Sequence, residues 1–475
     1  MNLSYRHILK YTGIFGGIQV ISMLASIVRN KAAAIFIDRY GQGLSDLFSN
    51  AANLVSTATT LVMPVSVIRR LSQVYERHGD GSAELRNEIR VVRSWSVLTG
   101  LVAMVIVAVG ARLLSRFAMG SENFVRSFIF LSPILVLMSV NATEVAILKA
   151  TRRLRQLAWA SGAGAVATMV VSVISYWLWG LRGIVIALNA GLLATTVLNM
   201  CYTLRPFPYR VAPFCWAVLR KGGPLISLSI SFMLASLVAA LAEMLIRSFI
   251  SNHGSIEDVG LYGAGFVLTV TYTKFIFSAM DADFYPRLSG LADNVRGMNV
   301  AINRQVVVCV LLIVPCLMLF TLFLPQIIRL LYRPEYLEIV PMVLCATLYM
   351  YSKAVITPVA YTALAKGDSR MFFVIEVIAA LLLGVCVIGG YRLAGLTGSG
   401  VGLALSNVVE LTIIMIVYSR AYGVRLYRST VGVILLHLLL LLAALLCIAF
   451  GGVERYPIVI AMVLLSAFLA WKKLR

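Results

Sequence analysis

Charge is what this sequence has least of: Asp, Glu, Lys and Arg make up 13% of its 475 residues, against 60% hydrophobic residues. That balance excludes a set of soluble domains, because apolar runs of spanning length recur from end to end and leave no separate globular part to house an enzyme. Histidine is rarer still, and His7, His78, His253 and His437 are too dispersed for a metal site. His437 lies within a predicted span, where a hydrogen bond in a helix contact accounts for it. Cys201, Cys215, Cys309, Cys316, Cys345, Cys386 and Cys447 form no CxxC pair and read as small packing residues. No cleavable signal peptide is expected, since the first long apolar run is too long and ends in Arg29, Asn30 and Lys31 rather than in small residues.

The charge that is present is lopsided: 41 Lys and Arg against 20 Asp and Glu, a formal net charge of +21. A nucleic-acid partner is not the reading. Roughly two thirds of the basic residues fall at the termini and in every second loop between apolar runs, which is the positive-inside pattern of a polytopic membrane protein. The runs predict fourteen spans, at about 11–37, 44–68, 92–114, 124–148, 157–179, 184–204, 223–250, 259–285, 302–324, 337–363, 371–393, 400–419, 430–450 and 457–471. An even number puts both termini on one side, and the basic loops make that side cytoplasmic. Within the longest connection, Leu85, Ile89 and Val92 share one helical face and Arg86, Arg90 and Arg93 another. This predicts a helix lying along the cytoplasmic headgroups.

An internal repeat organises the chain. Gly43, Leu44, Met63, Arg70, Leu71 and Ser72 recur at one constant offset as Gly260, Leu261, Met280, Arg287, Leu288 and Ser289. Arg155, Gly180, Leu181, Gly183, Leu188 and Arg205 recur as Arg370, Gly395, Leu396, Gly398, Leu403 and Arg420. The unit is six helices, so the two copies enter the membrane in the same direction. The expected fold class is therefore all-α and polytopic, with a lobe over residues 1–204, a parallel second lobe over 222–420 and an additional helix pair over 430–475.

Ionisable residues inside the spans are the functional candidates, because an ammonium at mid-membrane costs roughly 2.5–3.5 kcal/mol or more unless it faces a cavity or a partner. Lys274 and Lys353 fall near the midpoints of helices eight and ten; Arg29, Lys31 and Arg247 lie in the outer parts of helices one and seven. The acids on offer are Glu144, Glu243, Asp281, Glu376 and Glu410, with Asp283 nearer the cytoplasmic end. Glu243 and Arg247 are spaced to pair with each other. Lys274 and Asp281 are two turns apart, about 10.5 Å of rise, too far for a routine pair. Lys274 and Lys353 are thus expected to face a cavity and hold an anion, with a structural lysine paired to a neighbouring helix as the competing account. Pro64, Pro133, Pro315 and Pro358 fall within predicted spans and either kink them toward a cavity or serve packing.

Arg29-Asn30-Lys31 closing helix one, Gly41-Gln42-Gly43-Leu44 opening helix two, Tyr285-Pro286-Arg287-Leu288-Ser289 closing helix eight and Leu364-Ala365-Lys366-Gly367-Asp368 after helix ten resemble the Wzx-type lipid-linked oligosaccharide flippases. These are the polysaccharide branch of the multidrug/oligosaccharidyl-lipid/polysaccharide exporter superfamily. Asp38-Arg39-Tyr40 departs from the more apolar approach to helix two in that family, and fourteen helices rather than twelve is similar to the lipid II flippases. The resemblance implies a V-shaped exporter fold in the bacterial inner membrane. It implies undecaprenyl-diphosphate-linked oligosaccharide as cargo, and surface polysaccharide (O-antigen, capsule or exopolysaccharide) as the product served. No catalytic residue, metal or bound cofactor is expected. A proton or sodium gradient acting through Glu144, Glu243, Asp281, Glu376 or Glu410 is the candidate energy source. Candidate partners are membrane lipids, a polysaccharide polymerase and chain-length proteins. The alternatives are a drug or cation antiporter of the same superfamily, which needs a net acidic cavity, and a membrane glycan polymerase or ligase, which needs a sizeable outer loop.

Overall fold

The computed structural model describes residues 21–22, 24–59, 63–209, 230–271, 284, 287–291 and 293–474. Its described residues form helices joined by short turns. Residues 24–36 belong to α1, followed by α2 (Asp38–Thr59), α3 (Met63–His78), α4 (Ala83–Val109), α5 (Ala111–Met119), α6 (Val125–Leu131), α7 (Ile134–Ala150), α8 (Leu154–Trp179) and α9 (Gly183–Leu204). Then come α10 (Ile230–His253), α11 (Ile256–Phe266), α12 (Val295–Leu322), α13 (Leu324–Leu331), α14 (Val340–Ala365), α15 (Ser369–Tyr422), α16 (Arg428–Phe450) and α17 (Arg455–Leu474). Nine runs among the described residues are long and apolar enough to cross a membrane, and two of these, Arg155–Leu204 and Ser369–Tyr422, each contain two spans.

Those two double runs are hairpins, and the repeat seen in the sequence sets their turns. Gly180 and Gly395 take φ of +51° and +56°, a left-handed conformation that costs a β-carbon-bearing residue energy. A Cβ added at Gly183 would collide with the Ser175 carbonyl, and one at Gly398 with the Gly390 carbonyl. The colliding carbonyls are repeat counterparts as well, so both copies close their hairpins in one way. A third close approach lies between α2 and α11. A Cβ at Gly43 would meet the Ile256 carbonyl, and a Cβ at Gly260 the Arg39 carbonyl. Val at position 43 or at position 260 is expected to lower the thermal midpoint to a similar degree, by about 1–3 kcal/mol of overpacking. Gly389→Ala, where open space awaits a methyl, should not. Equal stability of all three variants in detergent melts would refute the crossing.

By contacts the chain divides into two units, Met1–Gly260 and Leu261–Arg475. The first includes α10, which the repeat counts with the second lobe. Its attachment is specific: Ser248 Oγ and Asn252 Nδ2 both donate to the Phe117 carbonyl of α5. In the second unit, α16 and α17 pack on α12. Asn299 and Asn303 hold the extended linker into this pair. Asn299 bonds Gly423 O and Arg425 N, and Asn303 bonds Arg425 O and Tyr427 N, all at 2.8–2.9 Å. At the turn before α15, the Met371 amide and the Tyr422 hydroxyl hold the Asp368 carboxyl below the usual carboxylate range.

The connection between α3 and α4 differs from expectation. Ser82 caps α4 by accepting from the Leu85 amide, and the helix then runs unbroken for 27 residues, about 40 Å. Leu85, Ile89 and Val92 are buried against Val67, Leu71, Val74, Ala146, Ile147, Ala150 and Phe207. The apolar face therefore packs on protein rather than on headgroups, since α3 and α7 supply a drier surface than an interface would.

Candidate functional site

In the first unit a polar cavity of about 360 Å³ opens among α1, α2, α7, α8 and α9. Helical spacing builds it. Gln42, Ser45, Asp46, Ser49 and Asn53 recur at intervals of three and four and line it from α2, while Thr168, Ser172 and Tyr176 line it from successive turns of α8. Arg29 enters from α1 and also lines a second cavity of about 320 Å³, with Asn141, Ser161, Thr168, Thr195 and Asn199. Thr168 and Thr195 bond each other at 2.9 Å, and Asn199 donates to Asn141 at 2.8 Å. These bonds fix part of the lining.

Arg29 makes no ion pair within 4 Å among the described residues, although Asp46 lies within its electrostatic reach, as do Arg247 and Glu243 within that of Asp46. Asp46 was not among the acids picked from the sequence. It falls at the start of the span predicted over 44–68, where an acid reads as interfacial; the helix begins at Asp38, which places Asp46 two turns inside it, and its signal is the polar stripe from Gln42 to Asn53. Lys31 is half-buried on α1. Arg247, nearly buried, donates to Glu243 Oε2 at 3.4 Å and to the Glu243 carbonyl at 3.2 Å, the pairing that their spacing allows.

Glu144 lies where α4, α7 and α9 meet. It is fully buried and takes a bidentate pair from Arg93, with Nε–Oε1 at 2.7 Å and Nη2–Oε2 at 2.9 Å. Thr203 Oγ1 also donates to it. Arg93 Nη1 continues to the carbonyls of Phe207 and Pro208, at 3.0 and 3.2 Å. An acid so fully engaged is a clasp tying α4, α7, α9 and the chain after α9. Both oxygens of Glu144 are thereby engaged, and the Arg93 guanidinium is turned into protein.

In the second unit Lys353 of α14 reaches Glu410 of α15, Nζ lying 3.1 and 3.0 Å from the two carboxylate oxygens. Its ammonium is also 5.7 Å from the Tyr349 ring, and Asn407 holds the Tyr349 carbonyl. Lys353 is thus paired in this structure with a carboxylate that the next helix presents. Glu410 is correspondingly occupied. Glu376 is exposed and within electrostatic reach of Lys353. Lys274 and Asp281 lie outside the described residues; the described stretch before them ends in a π-helical turn at Val267–Thr271.

A family profile described as "Polysaccharide biosynthesis protein" matches residues 80–341, just over half of the chain. No curated protein matches by sequence. Among solved structures, the chain is similar to the lipid II flippase MurJ in an inward closed conformation, at 12% identity and a TM-score of 0.72, with 97% of this chain and 98% of that one covered. It is also similar to an inward-facing multidrug resistance MATE family transporter of the MOP superfamily (15% identity, TM-score 0.66, 85% and 96% covered). A MOP superfamily transporter from Pyrococcus furiosus matches at 14% identity and a TM-score of 0.60, with 86% and 94% covered. At such identities the likeness is one of fold.

Proposed function

The chain belongs to the polysaccharide biosynthesis protein family, and from that premise we propose that it flips a diphosphate-linked oligosaccharide across the bacterial inner membrane by alternating access, for surface polysaccharide assembly. Transport rather than catalysis is the family's business. The observation that carries the reading is Arg29, a cation without an ion pair among the described residues, on the wall of a cavity that also presents hydroxyls, amides and the Asp46 carboxylate beside apolar side chains. A lipid-linked glycan needs both kinds of group. Its phosphates need cations once they leave water, and at an effective dielectric near 20 a unit charge pair at about 4 Å is worth roughly 4 kcal/mol before desolvation. Its sugar hydroxyls need partners that both donate and accept, which Ser45, Ser49, Asn53, Thr168, Ser172 and Thr195 supply.

Arg29→Ala is expected to cut transport of lipid-linked oligosaccharide into reconstituted vesicles at least tenfold at unchanged protein abundance, with Arg29→Lys retaining part of it. A normal rate in the Ala variant would overturn the assignment. A proton or sodium gradient is the candidate energy source, with Asp46 on the cavity wall and Glu376 and Glu410 in the second unit as the acids that would carry it. A drug or cation antiporter fits less well, because Arg29 offsets Asp46 and leaves the cavity without net negative charge.

A further inference from the structure

We propose that the first unit carries a separate binding site for the phosphate of an anionic phospholipid headgroup, in the basic pocket at the start of α4. The pocket encloses about 240 Å³ and is lined by Arg86, Asn87, Ile89, Arg90, Arg93, Phe207 and Pro208. It is a built site. Arg93 grips the Phe207 and Pro208 carbonyls, so that wall is fixed before anything binds, and because Arg93 is neutralised by Glu144 it adds structure but little net charge. The free charge comes from Arg86 and Arg90, one turn apart on one face of α4. Arg86 bonds the Gly81 carbonyl, which positions its guanidinium and leaves N–H groups over. Arg90 Nε is shielded from solvent and has no hydrogen-bond partner, a group that a ligand oxygen would satisfy. Nearby acids are spent or turned away: Glu88 pairs with Arg70 and Asp80 with Arg153, while Glu84, two residues before Arg86, projects from a different face by helical spacing.

Two forked guanidiniums and an amide suit a phosphate diester, which offers paired oxygens to planar donors. The apolar side of the pocket, formed by Ile89, Phe207 and Pro208, suits the glycerol and the first methylenes beneath the phosphate. Depth agrees: α4 runs on from Arg90 into its apolar stretch, which sets the pocket at the level of headgroups, where basic pockets recruit anionic lipids.

The test uses full-length protein in detergent micelles, probed by native mass spectrometry with phosphatidylglycerol, phosphatidylcholine or inorganic phosphate. Wild type should retain phosphatidylglycerol at least tenfold better than phosphatidylcholine, and millimolar inorganic phosphate should not displace it. The Arg86→Ala/Arg90→Ala variant should lose that preference while eluting as a normal monodisperse peak. Arg77→Ala, which removes an exposed cation outside the pocket, should keep it. Equal retention of the two lipids by wild type, an unchanged preference in the double variant, or equal loss in Arg77→Ala would each overturn the proposal. Displacement by inorganic phosphate would reassign the site to free phosphate and refute the lipid.

Discussion

Replacing Glu144 with Gln should remove most of the folded protein from the membrane fraction. Arg93 and Glu144 are 1% and 0% exposed, so loss of the carboxylate leaves a guanidinium with no water and no counter-charge. Breaking one half of a buried pair costs roughly 3–5 kcal/mol, against a total stability of about 5–15 kcal/mol for a typical domain. The Phe207 and Pro208 carbonyls would lose a positioned donor at the same time. The measurement is the thermal midpoint and monodisperse yield of detergent-solubilised protein. Restoration is expected from replacing the whole pair by apolar groups, Arg93→Met with Glu144→Leu, because removing both charges removes the desolvation problem that the single change exposes. A single Gln variant with an unchanged melting curve would show that the clasp contributes nothing.

Lys353→Ala should abolish transport, and Lys353→Ala/Glu410→Gln should restore abundance without restoring transport. Lysine is a compact point charge on a flexible stem, and the Lys353–Glu410 pair is only partly buried, at 25% and 11% exposure. That leaves it able to exchange its carboxylate for an incoming phosphate. The single change exposes Glu410, so some loss of protein is expected from it alone; neutralising Glu410 as well repairs that and isolates the functional loss. Lys353→Arg should be tolerated better than Lys353→Gln. If the double variant moves lipid-linked oligosaccharide at the wild-type rate in vesicles, the pair is a packing device and the cargo is held elsewhere.

What was readable in the sequence was what depends on one helix at a time. Apolar run length placed the helices, and the recurring Gly180/Gly395 and Gly183/Gly398 pairs marked the hairpin turns, because a left-handed φ and a backbone collision leave little besides glycine. The spacing of Glu243 and Arg247 likewise contained their pairing. Pairings between helices were not readable. Glu144 lies 51 residues from Arg93 and Lys353 lies 57 from Glu410, and no periodicity within a helix says which acid a neighbour brings to the same depth. The stripe on α4 was seen, but an apolar face reads the same whether it meets lipid or α7. Asp46 escapes for another reason: hydropathy starts the span at 44 and leaves the acid at its mouth, whereas α2 begins at Asp38 and carries Asp46 two turns in.

The close approach at Gly43 and Gly260 has a property that ordinary helix crossings lack. Gly43 abuts Ile256 and Gly260 abuts Arg39, and each residue in one contact is the repeat counterpart of a residue in the other. This is the grammar of an isologous interface, in which a patch meets its own image. A half-length chain carrying one such glycine could therefore meet a second copy of itself through the same four positions. In this single chain the self-complementary surface has two addresses, 43 and 260, that one mutation cannot change together. A substitution that lengthens one side chain there now needs its answer at the other end of the gene, so the crossing resists divergence more than contacts between unrelated positions do.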